Sequence, residues 1–253
     1  MSSIKPPFFE GKVALISGGA SGIGKAIALA FAMAGVKVVI AGRRRSKGEE
    51  TVAAIKRLGA SAAFLQTDVK EEETVRRMVE QTLDLHQRLD FAVNSAGVLR
   101  GGGLTEYSQE QWDTIIDTNL KGVWLCMKYQ IPAIVASGGG SIVNISSISS
   151  MLGKPATSLY AAGKAGVNAL SRVAAVEYAK QGLRVNTICP GPVRTDMLAG
   201  VPETVLNDVA ATIPLGRIGL PKDIAGAALF LCSEQAAFIN GHDLVIDGGL
   251  LHR

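Results

Sequence analysis

The sequence predicts a doubly wound α/β fold, a parallel sheet of about seven strands with helices on both faces. Short apolar, β-branched runs alternate with longer helical patterns from end to end. The runs are apolar on both faces, as strands are when helices cover each side of a parallel sheet. Glycine, 29 of 253 residues, gathers at the turns instead of repeating. An order of strand, helix, strand, helix argues for right-handed crossovers, and ligands of such sheets sit at the carboxyl ends of the strands.

Residues 13–16 (Val-Ala-Leu-Ile) form the first strand, and a helical pattern covers 23–34. A second strand at 36–41 precedes a helix over 47–58, and a third at 62–66 a helix around 71–87. After a fourth strand at 91–94, one long helix is expected over 109–135, with Pro132 near its end. Then come a strand at 141–145, a helix at 160–180, a strand at 184–188, a helix at 222–233 and a last strand at 243–246. No linker, repeat or low-complexity segment divides the chain, which predicts one domain over 1–253 with an N-terminal extension at 1–10.

Composition excludes several classes. With 47% hydrophobic and 19% charged residues the chain is neither disordered nor fibrous. The net charge is only +4, and its densest run, Arg43-Arg44-Arg45-Ser46-Lys47, has no interleaved aromatics for stacking bases, so no nucleic-acid partner is expected. Cys126, Cys189 and Cys232 are widely spaced without a CxxC pair, which fits thiols in a reducing compartment. His86, His242 and His252 show no HExxH spacing, so no metal is expected. The first ten residues hold two prolines and no apolar run of signal-peptide length, and no stretch reaches the roughly 18 apolar residues of a membrane span. A soluble, cytoplasmic protein is the expectation.

Between the first strand and first helix, Gly18, Gly22 and Gly24 are spaced GxxxGxG. Such a turn lets backbone approach a pyrophosphate, whose charge the helix N-terminus favours. Residues 19–25 also read as GxxxxGK, but Ala26 stands where a P-loop needs a metal-holding hydroxyl, and that reading is rejected. At the end of the second strand an acidic residue would bond a ribose 2′-hydroxyl and repel a 2′-phosphate. This chain has Ala41-Gly42-Arg43-Arg44 instead: Gly42 leaves space, and Arg43 with Arg44 favours NADP(H) over NAD(H).

Tyr160 and Lys164 stand four residues apart, on one helix face. A nearby ammonium favours the phenolate and lowers the phenol's pKa, so that Tyr exchanges protons with an alcohol or carbonyl. An ordinary exposed helix pair has the same spacing. The combination of Gly18-x-x-x-Gly22-x-Gly24, Asn94-Ser95-Ala96-Gly97, Asn119, Ser147, Tyr160-x-x-x-Lys164 and Pro190-Gly191 resembles the short-chain dehydrogenase/reductase family, from Gly11 to Gly249.

That resemblance implies a Rossmann-like fold, with Tyr160 as general acid/base and Lys164 lowering its pKa while holding the nicotinamide ribose. Ser147 would bond the substrate oxygen, family spacing selecting it over Ser146 and Ser149. Asn119 would hold a water linking Lys164 to solvent. Ser17, Ser21 and Ile23 would join the glycines around the cofactor, and Asp68 with Val69 would meet the adenine. Asn94, Ala96 and Gly97 would position cofactor-binding backbone, and Pro190, Gly191, Val193 and Thr195 would hold the carboxamide. Ser17 stands in place of the family's usual Thr, and Ser95 in place of the second Asn of NNAG.

Residues 196–220 correspond to the variable lid over the substrate. Met197 and Leu198, with Met151 and Leu152 after the serine, suggest an apolar pocket for a ketone or secondary alcohol. Arg100 and Arg194 leave an anionic substrate open, as are a sugar and a 3-ketoacyl thioester. Family members are usually homotetramers, built on the two long helices. The rival from another class is a non-catalytic, NADP-sensing binding protein, against which the intact Ser147, Tyr160 and Lys164 weigh.

Overall fold

A computed structural model describes residues 7–252. The first six residues of the expected N-terminal extension lie outside the described residues. Seven parallel strands run in the order β3-β2-β1-β4-β5-β6-β7. In chain order they are β1 (Val13–Ser17), β2 (Lys37–Gly42), β3 (Ala62–Gln66), β4 (Phe91–Asn94), β5 (Gly140–Ile145), β6 (Leu183–Pro190) and β7 (Asp243–Ile246). The first half of the chain winds outward from β1 to β3 and the second from β4 to β7, so the order reverses between β1 and β4. A cleft opens there at the strands' carboxyl ends, as the doubly wound topology requires.

The helices that cover the sheet are α1 (Gly22–Met33), α2 (Arg45–Arg57), α3 (Glu72–His86), α4 (Gln109–Ile116), α5 (Gly122–Ala136), α6 (Ser158–Glu177), α7 (Glu203–Thr212) and α8 (Pro221–Cys232). Strand side chains alternate between two cores. Ala14, Ile16, Val38, Ile40, Val93 and Val143 pack with α1 and α8, while Val13, Leu15, Val39, Ala92 and Ile142 pack with α3, α5 and α6. Each of these large aliphatic side chains is fully buried, contributing about 1.5–3 kcal/mol. Phe8 and Phe9, ahead of β1, close one end of the first core against Phe31 and Phe91. A smaller third cluster joins Ile148, Leu206, Ile213, Ile218 and Leu250.

The structure corrects two expectations. The helix expected over 109–135 is broken: α4 and α5 are joined by a five-residue π-helical turn, Asp117–Lys121. Residues 196–220, expected only as a lid, contain α7, on which Leu206 alone is fully buried. Elsewhere the ends shift by one to three residues, as β6 does by running on to Pro190.

At the opposite end of the sheet, the buried carboxylate of Asp90 accepts from the Val13 amide (3.0 Å), Lys12 Nζ (3.0 Å) and Arg88 Nε (2.8 Å). Burial alone would raise the Asp90 pKa, but the Arg88, Val13 and Lys12 donors outweigh it and hold the carboxyl below its usual 3.8. The folded state therefore binds fewer protons here. Its stabilisation is complete above the ordinary carboxylate pKa and is lost as pH falls through the lower folded value. Asp90→Ala is expected to destabilise by about 3–5 kcal/mol, measured by urea unfolding at pH 7. A loss below 1 kcal/mol would refute the assignment.

Candidate active site

A cleft of about 1140 Å³ runs across the carboxyl ends of the strands. One end is lined by the turn after β1 and by residues following β2 and β3; the other is walled by residues 147–157 and by α7.

The turn after β1 is shaped by contacts that leave no room for side chains. A Cβ on Gly18 would lie 2.6 Å from the Ala96 amide nitrogen, and one on Gly24 would overlap the Gly18 carbonyl oxygen. Gly22 has φ +51, a left-handed backbone that glycine adopts freely. Ser21 caps α1 without a side-chain cap bond, and no acidic residue occupies the first turn. Ser17, Gly24 and Asn94 lie behind the cleft wall, whereas Gly18, Ser21, Gly22, Ile23, Ala96 and Gly97 line it. The buried Asn94 amide exchanges hydrogen bonds with Gln130 (3.0 Å each way), donates to Asn144 (2.8 Å) and accepts from Ser17 (3.4 Å). It ties β1, β4, β5 and α5 together directly below the cleft.

Gly42, Arg43, Arg44, Asp68 and Val69 also line this end. A Cβ on Gly42 would meet only Ala20 Cβ, at 3.7 Å, so this spot is open. Arg44 donates to Ser21 Oγ (2.8 Å) and stands 3.6 Å from Asp196.

The four residues expected to be catalytic converge at the middle. Lys164 Nζ donates to the Ile145 carbonyl (2.8 Å) and lies 5.7 Å from the Tyr160 ring centroid. Burial lowers the Lys164 pKa to about 8. Burial likewise raises the Tyr160 pKa, offset in part by the Ser147 hydroxyl. Desolvation is thus the largest influence on the Tyr160 hydroxyl in the structure, and it opposes ionisation. The serines of this stretch also differ in their bonding. Ser146 Oγ is turned away to donate to the Lys164 carbonyl (3.1 Å), while Ser147 faces Tyr160 and accepts from the Ser149 amide (3.1 Å).

Asn119 lies in the π-helical turn, fully buried. Its Nδ2 donates to the carbonyls of Val98 (2.8 Å) and Ile115 (2.9 Å), and its Oδ1 accepts from the Val98 amide (3.2 Å). Both amide hydrogens are thereby committed to backbone. Through them Asn119 pins the segment after β4 beside Lys164.

On the far side, Leu152, Met197 and Leu198 line the cleft as expected, with Pro190, Gly191, Val193 and Thr195 between the two ends. Met151 does not line it; its side chain is 44% exposed, directed to solvent beyond the turn that its amide closes on Ile148. The two candidate anion partners separate as well. Arg194 is consumed by a bidentate pair with Glu203 (2.7 and 3.2 Å), while Arg100 lines the cleft. Sequence reasoning missed Leu250, which reaches the wall from beyond β7, and Val209 of α7. No short-range signal marks Leu250, because the third core cluster that buries it is assembled from distant segments.

Comparison with known proteins agrees along the whole chain. The family model adh_short_C2, described as enoyl-(acyl carrier protein) reductase, matches residues 18–251. The 2,5-dichloro-2,5-cyclohexadiene-1,4-diol dehydrogenase LinX of Sphingobium indicum is 42% identical, covering 94% of this chain and 96% of its own. A cyclohexanol dehydrogenase of an Acinetobacter species is 39% identical, covering 98% of each chain. The 3-oxoacyl-[acyl-carrier-protein] reductase FabG of Thermotoga maritima is 36% identical over 96% of this chain and 98% of its own. Among solved structures, a short-chain type dehydrogenase/reductase from Mycobacterium marinum superposes with a TM-score of 0.92 at 34% identity, covering 97% of each chain.

Proposed function

Because the chain belongs to the short-chain dehydrogenase/reductase family and is an NAD(P)-dependent oxidoreductase, we propose that it interconverts an apolar ketone and its secondary alcohol, with NADP(H) as preferred cofactor. The observation that carries the reading is the convergence of Ser147, Tyr160 and Lys164 on one cleft that also holds the glycine turn.

The cleft fits a dinucleotide. The close approach of Gly18 to Ala96 and the uncapped first turn of α1 make a backbone cradle for a pyrophosphate. Gly42, with Arg43 and Arg44, leaves room and positive charge for a 2′-phosphate. Asp68 and Val69 would border the adenine, and Pro190, Gly191, Val193 and Thr195 the carboxamide. When bound, the nicotinamide supplies or accepts the hydride. The protein's part is to orient the carbonyl and move a proton. Ser147 Oγ holds the substrate oxygen, Tyr160 Oη gives it a proton during reduction and takes one during oxidation, and Lys164 favours the phenolate once a bound cofactor ribose and substrate complete the site. Asn119 keeps the 97–98 segment against Lys164.

Leu152, Met197, Leu198 and Val205 give the substrate end its apolar character, and two relatives named as dehydrogenases of ring alcohols support that class. A 3-ketoacyl thioester is the second reading, favoured by the similarity to a 3-oxoacyl reductase. We further assign one catalytic domain with 196–220 as its lid, and assembly as a homotetramer through α4–α5 and α6, where Leu120, Trp124 and Leu170 line an apolar hollow. Three buried free thiols support a reducing, cytoplasmic setting.

The test is consumption of NADPH and NADH against cyclic ketones, diketones, sugars and ketoacyl thioesters. Turnover of cyclic ketones with NADPH is expected; turnover of thioesters alone would favour the second reading. Gly42→Asp probes the cofactor directly, since the site has room for the side chain. It should weaken NADPH binding by about tenfold or more while sparing NADH, read by fluorescence titration. Tighter binding of NADH by the unmodified protein would overturn the preference.

A further inference from the structure

We propose that Asn168 and Ser150 are positioning residues for the reaction, fastening the Ser147 peptide to the helix that carries Tyr160. The proposal rests on the assignment of Ser147 and Tyr160 above. Asn168 follows Lys164 by one helical turn and Tyr160 by two, on the same face of α6, and is only 4% exposed. Its Nδ2 donates to Ser150 Oγ (3.0 Å), and Ser150 Oγ donates in turn to the Ser147 carbonyl (2.6 Å). The Ser150 amide donates to the same carbonyl (3.0 Å), so two donors fix the peptide that follows Ser147. The second Nδ2 hydrogen points toward Cys189 Sγ at 3.7 Å.

The direction of this relay follows from hydrogen-bond inventory. The single Ser150 proton is committed to the Ser147 carbonyl, so the hydroxyl can only accept from Asn168. Asn168 must therefore present its N–H group, and its Oδ1 is left buried without a partner. A bare buried acceptor costs stability that a leucine of similar size would not. Such an expense is retained where function uses the other half of the group.

The geometry states that use. Ser146 Oγ is anchored to the Lys164 carbonyl on one side of Ser147, and the Ser150–Asn168 link anchors the other. Ser147 is held between two straps to α6, each within two turns of Tyr160. The separation of the Ser147 hydroxyl from the phenol is thereby set by one rigid helix. Without the second strap the 3₁₀ turn Ile148–Ser150 is tied to α6 on one side only, and the substrate oxygen loses its alignment.

The test uses Asn168→Leu, Ser150→Ala and their combination in the whole protein, with three readouts: thermal melting, NADPH titration and steady-state kinetics on the best carbonyl of the panel. Asn168→Leu is expected to melt at the same or a higher temperature, bind NADPH as before, and lose about ten- to a hundredfold in kcat with little change in KM. Ser150→Ala should lose a similar factor, and the double variant no more than either alone, because both break one relay. Asn168→Asp, nearly isosteric, should also lower kcat, since its carboxylate draws the Ser150 proton away from Ser147. Unchanged kcat with a lowered melting temperature would overturn the proposal in favour of a structural role, as would losses that multiply in the double variant. Should Asn168→Leu fail to fold, Ser150→Ala carries the same prediction. Wild-type turnover in these variants beside an inactive Tyr160→Phe overturns this inference alone; an active Tyr160→Phe overturns the site assignment itself.

Discussion

Tyr160→Phe is expected to lower kcat by about 10³-fold while leaving the NADPH dissociation constant within about twofold, since a positioned general acid/base contributes 10²–10⁴-fold. The substitution removes one oxygen and keeps the ring. That ring lies beside Lys164, and its hydroxyl faces Ser147. Phenylalanine fills the same space, so packing of α6 should not change. Fluorescence titration with NADPH and stopped assays over long times separate the two quantities. Turnover within tenfold of the unmodified protein would assign the proton to another group.

Lys164→Met should abolish turnover and, unlike most active-site substitutions, stabilise the protein. Burial depresses the Lys164 pKa to about 8, so an ammonium is held in the interior at neutral pH at a cost. Between pH 8 and its unfolded value near 10.5 the folded lysine is neutral while the unfolded one is charged. The unfolded state then binds more protons, and stability rises with pH across that window. Methionine removes the cost and also the bond to the Ile145 carbonyl, for a net gain of about 1–3 kcal/mol at pH 7. The stability rise between pH 8 and 10.5 should flatten in the variant. Urea unfolding at pH 7, 8.5 and 10 reads both effects, and a destabilised variant with an unaltered pH slope would show that Lys164 is not held at such a cost.

The strands were legible because each is a short run with an apolar, mostly β-branched centre, and the glycine turn because its spacing is local. Tyr160, Lys164 and the choice of Ser147 came from motif spacing, which fixes a shared helix face but says nothing about solvent. Burial was therefore invisible, and with it the desolvation that pushes the Tyr160 hydroxyl up. The pairing of Arg194 with Glu203, nine residues away, could not be told from an Arg available to substrate. α7 went unread because it buries a single large side chain, Leu206, against a cluster drawn from four other parts of the chain. Asn168 gave no signal at all; its meaning lies in Ser150, eighteen residues earlier, and in an oxygen left without a partner.

The broken helix before β5 was read as continuous because apolar periodicity is nearly blind to one wide turn. That turn has a consequence for the site. Asp117–Lys121 takes up one more residue than an α-helical turn would, so α4 and α5 are out of phase by a single position. Deleting one residue, such as Thr118, would remove the extra position and let α4 run into α5 as a regular helix, both keeping their faces to the sheet. The wide turn from which Asn119 reaches the Val98 carbonyl would close, while Leu125, Cys126 and Ile134 would stay against the sheet. The chain should then fold with its core intact but without the Asn119 contact beside Lys164, so the wide turn serves the site and not the packing of α5.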